Sequence, residues 1–384
     1  MNIETVRSYC LSKRGATEDS AFGPDMVLFR LCGKIFSCLD LHRPDRVVLK
    51  STEDEAVELR ARYQGVQPAW HWNKRYWNEV FFDEDVEEKK ILELLDHSYD
   101  LIRMHLPQRT LYSFSKLPEG WKHEHFPVLD SAMNVIRQPE FASEQVPVAL
   151  VTTDFQTAGR GQGTNTWESE KMQNLLFAFR FFPQKIKAVD QFGLLQCVSL
   201  AVVAALEKYY KGEVKIKWPN DIYCEDQKIC GILIEHDLCG AYLTETRCGI
   251  GINVNQQKFL SSAPNPVSLW QLTGKQVDRS GVLRYFINAF SAELERLQGG
   301  GASEIAADYL SRLYRLSGWY PFRDVNGDFE GHLLGVAEDG RLRVVDRHGK
   351  TRIYAHKEVE FILTKKEYRP GEDEEKAWKE FCNE

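Results

Sequence analysis

The chain has 384 residues and nine cysteines, an odd number, with no C-x-x-C pair among them. That argues against a disulfide framework and the common redox and zinc-ribbon motifs. Free thiols in a reducing cytoplasm are expected, with a zinc site or catalytic thiol as the lesser alternative. Long apolar runs are missing too. The most apolar stretch, residues 193–206, contains Gln196 and Ser199 and falls short of the about 20 residues a spanning helix needs. No membrane segment is expected. The opening MNIETVRSYC has no apolar signal core, so a cytoplasmic location is expected. A surplus of positive charge is also absent. There are 49 Lys and Arg against 56 Asp and Glu, a net charge of −7. This excludes a protein that coats nucleic acid by overall charge, but not a local basic patch.

What is present is an ordinary globular balance: 43% hydrophobic, 12% aromatic and 27% charged. At roughly 150 residues per domain, two to three domains are expected. Residues 1–107 mix helices (Ile3–Leu11, from Glu53 to about Tyr63, Val86–His105) with strands at Met26–Leu31, Ile35–Leu41, Arg46–Lys50 and Glu79–Phe82. Gly33-Lys34 reads as a hairpin turn. Thr52 before three acids reads as a helix N-cap. Residues 108–125 lack sustained periodicity and read as a linker. Residues 126–318 again mix helices with strands. Residues 319–364 are short strands broken by Asn326-Gly327, Asp339-Gly340 and His348-Gly349, the pattern of a small barrel. Residues 365–384 form a charged tail.

Three segments of the middle region carry chemistry. In the first, a strand opens at Thr153 into a loop with Gly159, Gly161 and Gly163 at alternate positions and Trp167 at its end. Such a loop lets backbone N–H groups approach a phosphate or carboxylate. It lacks the Gly-Lys-Ser/Thr of a Walker loop, and Thr164 replaces the third glycine of the dinucleotide fingerprint. Alone, it is equally a surface turn. The second segment is Lys217-Trp218-Pro219-Asn220-Asp221. A cation leaves a strand end, proline forces a turn, and two hard oxygen ligands suited to Mg²⁺ follow. Alone, it reads more readily as a capped strand end. The third runs from Lys228 through Gly231 to Glu235, then from Gly249 through Gly251 and Asn253 to Asn255. Glycines two apart on a strand face one side and leave room for something flat, a ligand or another backbone.

In this order and spacing the segments resemble the biotin protein ligase family, over about residues 126–363. Ser131-Ala132-Met133-Asn134 is a looser match to that family's Ser-Thr-Asn entry motif. The resemblance implies a class II synthetase-like biotin/lipoate ligase catalytic domain of α+β class followed by an SH3-like barrel. It implies ATP, Mg²⁺ and biotin as cofactor and substrates. Biotin's carboxylate would attack the α-phosphate of ATP, and a lysine of a biotin carboxyl carrier domain would then displace AMP. It makes Lys217 the catalytic lysine, and Asp221 with Asn220 the metal and phosphate end. Ser131, Gln156, Gly159, Arg160, Lys217, Gly231 and Gly249 would hold biotin. Arg160, Gly161, Gln162, Gly163, Trp167, Asn220, Lys228 and Asn253 would hold the nucleotide. The family's loop pattern has arginines where Gln162 and Asn165 stand here, so a looser grip on the adenylate is expected. Alternatives are a lipoate or other acyl-adenylate-forming protein ligase, or a ligase-derived binding or regulatory protein. The Arg-Arg-x-Ser/Thr-Gly-Gly-Gly run of lipoate ligases is absent. A homodimer is left open.

Residues 1–107 lack the helix-turn-helix that precedes bifunctional biotin ligases. Phe22-Gly23-Pro24, the Gly33–Phe36 hairpin, His71-x-Asn73-Lys74-x-x-Trp77-Asn78 and Asp96–Tyr99 resemble the MmcQ/YjbR-like family. That implies a CyaY-like α/β module, for which binding to DNA or a partner is an open role. Trp70–Trp77 interleaves aromatic and basic residues, as nucleic-acid sites do. An aromatic loop packed on the sheet is the better reading, because the module carries 15 basic and 19 acidic residues. His71 and His97 are expected to be hydrogen-bonded structural residues.

Overall fold

The structure, a computed structural model, describes residues 1–13, 15–104, 106, 117–141, 146–161, 163, 166–183, 186–261 and 265–363. Gln162, Asn165, the tail 365–384 and the first half of the expected linker lie outside them. The chain divides into two units, Met1–Lys116 and Leu117–Glu384. All eight cysteines among the described residues are free.

The first unit is a six-stranded antiparallel sheet in the order β1-β2-β3-β4-β6-β5. The strands are β1 (Ala16–Asp19), β2 (Met26–Leu31), β3 (Lys34–Asp40), β4 (Arg46–Lys50), β5 (Val66–Pro68) and β6 (Trp77–Phe81). The β2–β3 turn is Cys32-Gly33, one residue earlier than expected. Both residues have positive φ, +50° and +78°, as a two-residue hairpin of the right twist requires. Helices Ile3–Ser12 and Glu88–Met104 cover one face through Val6, Cys10, Ile91, Leu95 and Ile102. Thr52 caps the helix Glu53–Arg62 in a reciprocal bond with Glu55. Two short strands, β1 and β5, escaped the sequence reading because neither carries an apolar alternation.

The second unit holds a seven-stranded sheet in the order β10-β11-β12-β13-β9-β8-β7. Its strands are β7 (Trp121–Phe126), β8 (Val148–Thr153), β9 (Leu175–Phe181), β10 (Val214–Lys217), β11 (Asp221–Cys224), β12 (Gln227–Cys239) and β13 (Tyr242–Ile252). Only β7–β8 is parallel; the other pairs are antiparallel. Residues 121–125, assigned by sequence to the linker, are therefore part of an edge strand that ends at Phe126. Four polar residues between Trp121 and Phe126 conceal it, and polar residues suit an edge.

β9 reads Leu-Leu-Phe-Ala-Phe-Arg-Phe and is buried throughout, because both faces are covered. Phe177, Phe179 and Phe181 meet Phe286 and Phe290 of the helix Arg279–Gln298, with ring centroids 4.8–5.6 Å apart. Ala178 faces the other way, toward Met133 and Ile136 of the short helix Ala132–Ile136. The helix Gln191–Leu206 and the turn before it span residues 188–206, long and apolar enough to cross a membrane. Two-thirds of that length is buried within the unit, as befits a core helix.

The C-terminal strands β14 (Tyr320–Asp324), β15 (Gly327–Val336), β16 (Leu342–Asp346), β17 (Thr351–Tyr354) and β18 (Glu360–Phe361) form a five-stranded sheet in the order β17-β16-β15-β14-β18. Among the described residues no ladder joins β17 to β18 to close a barrel. This sheet packs on the rest of its unit. A Cβ on Gly340 would sit 2.7 Å from the Phe192 ring, and Trp218 donates its indole N–H to the Gly340 carbonyl at 2.9 Å.

Phe290 is fully buried against three other phenylalanines and Trp121. Phe290→Ala is expected to destabilise the second unit by about 3–5 kcal/mol, read as a lower denaturant midpoint with an unchanged m-value.

Candidate functional site

The strand ends and loops of the second unit enclose a cavity of about 520 Å³. Its floor is made by absent side chains. Gly231 and Gly251 are direct cross-strand partners on β12 and β13, and Gly249 follows on the same face. A Cβ on Gly251 would lie 2.5 Å from the Trp167 indole, and one on Gly231 would lie 2.8 Å from it. A Cβ on Gly249 would strike Met133 at 2.5 Å. What lies over these glycines is the Trp167 side chain, with Met133 beside it, and not the ligand or second backbone that the sequence left open. The Trp167 indole N–H is buried and has no hydrogen-bond partner among the described residues.

Trp167 reaches the floor because its loop folds back on itself. Its backbone N–H donates to the Gly159 carbonyl at 2.9 Å, and Arg160 and Thr166 form an isolated bridge. A Cβ on Gly159 would lie 2.5 Å from the Trp167 carbonyl oxygen, so this crossing needs glycine. Gln156 stands at the loop's entrance. Its Oε1 accepts from the Ala132 backbone N–H at 2.7 Å, which ties the loop to the start of the helix Ala132–Ile136. Ser131, the residue before that helix, is buried, lines the cavity and makes no capping bond. Two residues before Gln156, Asp154 is held by Arg279 and His125, each at 3.2 Å.

Lys217 ends β10, and the three residues Trp218-Pro219-Asn220 return the chain so that Asp221 stands opposite it on β11. The turn is bonded on several sides. Tyr309 donates to the Pro219 carbonyl at 2.7 Å, Asn220 donates to the Ile232 carbonyl at 2.8 Å, and Trp218 reaches Gly340. Lys217 Nζ donates to the Tyr223 hydroxyl at 3.3 Å and lies 5.5 Å from the centre of the Phe361 ring. Burial lowers the Lys217 pKa; Lys228 and Arg315 push the same way and Asp221 opposes them. A buried ammonium crowded by cations is a place where an anion is bound favourably. Lys228 Nζ meets Asp221 Oδ1 at 2.7 Å.

The cavity thus gathers Ser131, Gln156, Arg160, Gly161, Trp167, Lys217, Asn220, Asp221, Lys228, Gly231 and Gly249. Gly159 and Gly163 shape the loop without lining the cavity, and Gln162 lies outside the described residues. Asn253 lies elsewhere. It is buried in a polar network where Asn174 donates to its Oδ1 at 3.4 Å and to Gln256 Oε1 at 2.6 Å. Among the described residues no three His, Cys, Asp or Glu groups converge as metal ligands. Asp221 is engaged by Lys228, and the Asn220 amide by Ile232. The sequence reading missed His356, Lys357, Glu360 and Phe361, which reach the cavity from the C-terminal sheet. No local motif marks them; packing of distant segments alone brings them there.

In the first unit, Trp72 packs against Trp77 at 4.3 Å and Phe22 at 6.1 Å between ring centroids. Arg75 is paired with Glu53, and His97 is bonded to Glu55 at 2.8 Å. The aromatic loop is mostly packed on its sheet, but Trp70 is 56% exposed with Arg43 over its ring.

The profile of the biotin/lipoate A/B protein ligase family matches residues 125–253, and that of the YjbR family matches residues 11–101. The bifunctional ligase/repressor BirA of Bacillus spizizenii is 31% identical over 223 residues, 56% of this chain and 67% of that protein. The biotin–[acetyl-CoA-carboxylase] ligase of Paracoccus denitrificans is 28% identical over 206 residues, 50% of this chain and 82% of that protein. Among solved structures, the biotin protein ligase from Aquifex aeolicus in complex with biotin and ATP is similar in fold. Its TM-score is 0.53 at 24% identity, covering 63% of this chain and 99% of that one.

Trp218→Phe keeps the ring but removes the donor to Gly340. It is expected to cost about 1–3 kcal/mol by orphaning that carbonyl, measured by chemical denaturation of the whole chain.

Proposed function

This chain belongs to the biotin protein ligase family, and from that premise we propose that it activates biotin with ATP and transfers it to a carrier-protein lysine. A biotin carboxylate oxygen attacks the α-phosphorus, and pyrophosphate leaves. The product is biotinyl-5′-AMP, a mixed anhydride. The acceptor's ε-amine then attacks the acyl carbon, forms the amide and releases AMP. The observation that carries this reading is the convergence on one cavity of the three motif segments, with the half-buried Lys217 in its lining.

Two anions must meet in the first step, so cations and exclusion of water supply most of the help. Lys217 is suited to bridge the carboxylate and the α-phosphate. Lys228 and Arg160 add charge, and Gln156 offers its amide nitrogen to biotin. The glycine floor seats Trp167, whose ring offers the ligand a flat apolar face. No enzyme nucleophile is required. Mg²⁺ would neutralise charge on the pyrophosphate side, and Asp221 and Asn220 would supply protein oxygens to hold it. The acceptor is a biotin carboxyl carrier domain. The C-terminal sheet takes the part of the family's SH3-like module, and residues 1–107 take the part of a CyaY-like module. With a −4 balance and an exposed Trp70, that module suits a protein partner better than DNA. A salt-dependent gel shift with the whole chain would decide; retention of DNA at low salt would contradict this preference.

Lys217→Ala is expected to lower the rate of biotinyl-AMP formation by about 10²–10³-fold, and wild-type formation by that variant would contradict the assignment. Incorporation of labelled biotin, but not lipoate, into a carrier domain tests the substrate. Lys217 acts as a cation, and burial lowers its pKa from the ordinary lysine value. Adenylation should therefore fall as pH rises, beginning below the ordinary lysine range. In Lys217→Arg the guanidinium stays charged, so whatever activity remains should lose that alkaline limb. A pH–rate profile of the first step checks both.

A further inference from the structure

We infer that Lys357, carried by the C-terminal sheet, contacts the phosphates of the bound nucleotide and replaces a cation that the 159–167 loop lacks. The inference rests on the adenylate-forming reading above and deepens it. Three observations meet at this residue. First, Lys357 lines the same cavity as Lys217 and Lys228, and a Cβ on Gly163 would sit 3.4 Å from its Nζ. A side chain from a segment almost two hundred residues away therefore reaches the tip of the loop. Second, the cations lining the cavity differ in what they already hold. Lys228 is paired with Asp221, Arg160 donates to Asn134 at 3.1 Å, and Lys217 donates to Tyr223. Lys357 alone of the four has no hydrogen bond or ion pair among the described residues, so its charge is available to a ligand. Third, its backbone is held at φ +74°, a conformation L side chains rarely adopt. The turn is pinned by Glu358, which accepts from the Ala355 N–H at 2.7 Å, and by the His356 ring against Trp218.

The sequence supplies the reason for such a residue. The loop carries Gln162 and Asn165 where the family pattern has arginines. Neutral amides bind phosphate more weakly than cations do. A lysine at the loop tip restores one positive charge from outside the loop. Glu360 also lines the cavity, and Arg323 lies 3.5 Å from its carboxylate.

The test uses the whole chain and biotin-dependent exchange of pyrophosphate into ATP. K357M removes the charge. K357G removes it and also suits the positive φ, so it guards against misfolding. Both are expected to raise the KM for ATP by about ten- to a hundredfold, as loss of a charge-assisted bond does, while the KM for biotin stays within about twofold. Q162R added to K357G should restore most of the ATP affinity. An unchanged ATP KM in both variants overturns the inference, as does an increase shared equally by biotin. An increase that Q162R leaves in place overturns the replacement. A folded wild-type chain with no exchange at all would instead remove the adenylate-forming reading beneath it.

Discussion

The site depends on one turn, Lys217 to Asp221, being held from several directions. A lysine at a strand end is ordinarily mobile, with about 2 kcal/mol of rotamer entropy to lose. Here the backbone that carries it is bonded to the helical layer through Tyr309, to the sheet through Asn220, and to the C-terminal sheet through Trp218. Ile216, just before it, donates to the Arg312 carbonyl at 2.7 Å. The side chain then has few directions left, between Tyr223 and Phe361. Preorganisation of this kind makes a single charge effective, because little is reorganised when the substrate arrives. It also makes the C-terminal sheet part of the site rather than an appendage.

The other half of the site is subtraction. Gly231 and Gly251 face each other across two strands and leave a slot of one ring's thickness. Any side chain at either position would push Trp167 away. The surrounding cations would repel one another without a ligand; the depressed pKa of Lys217 records the burial and the crowding together. An anionic, partly flat ligand relieves both conditions.

Much of this was legible in the sequence. The Lys217–Asp221 segment, the Lys228–Glu235 strand and the Gly249–Asn255 strand are local patterns, and the structure brings them to one cavity. In the first unit local patterns also placed four strands and the long helix Glu88–Met104 within two residues. What escaped was non-local. β7 pairs with β8 from the sheet edge, so its polar residues carry no alternation. The C-terminal residues 356–361 gain their meaning only from where their sheet docks. Asn253 sits within a recognisable motif, yet it holds up a buried polar network with Asn174 and Gln256 instead of lining the cavity. A motif shows that a residue matters more readily than it shows which face of the strand uses it.

The central claim is that Lys217, fixed by its turn, sits where carboxylate and α-phosphate meet above the glycine floor. A crystal structure of the whole chain grown with biotin and ATP tests it most directly. The account predicts biotinyl-AMP in the cavity, with Trp167 between part of it and the glycine floor, and its acyl-phosphate within hydrogen-bonding reach of Lys217 Nζ. A ligand bound elsewhere, or one whose acyl-phosphate lies away from Lys217, would contradict it.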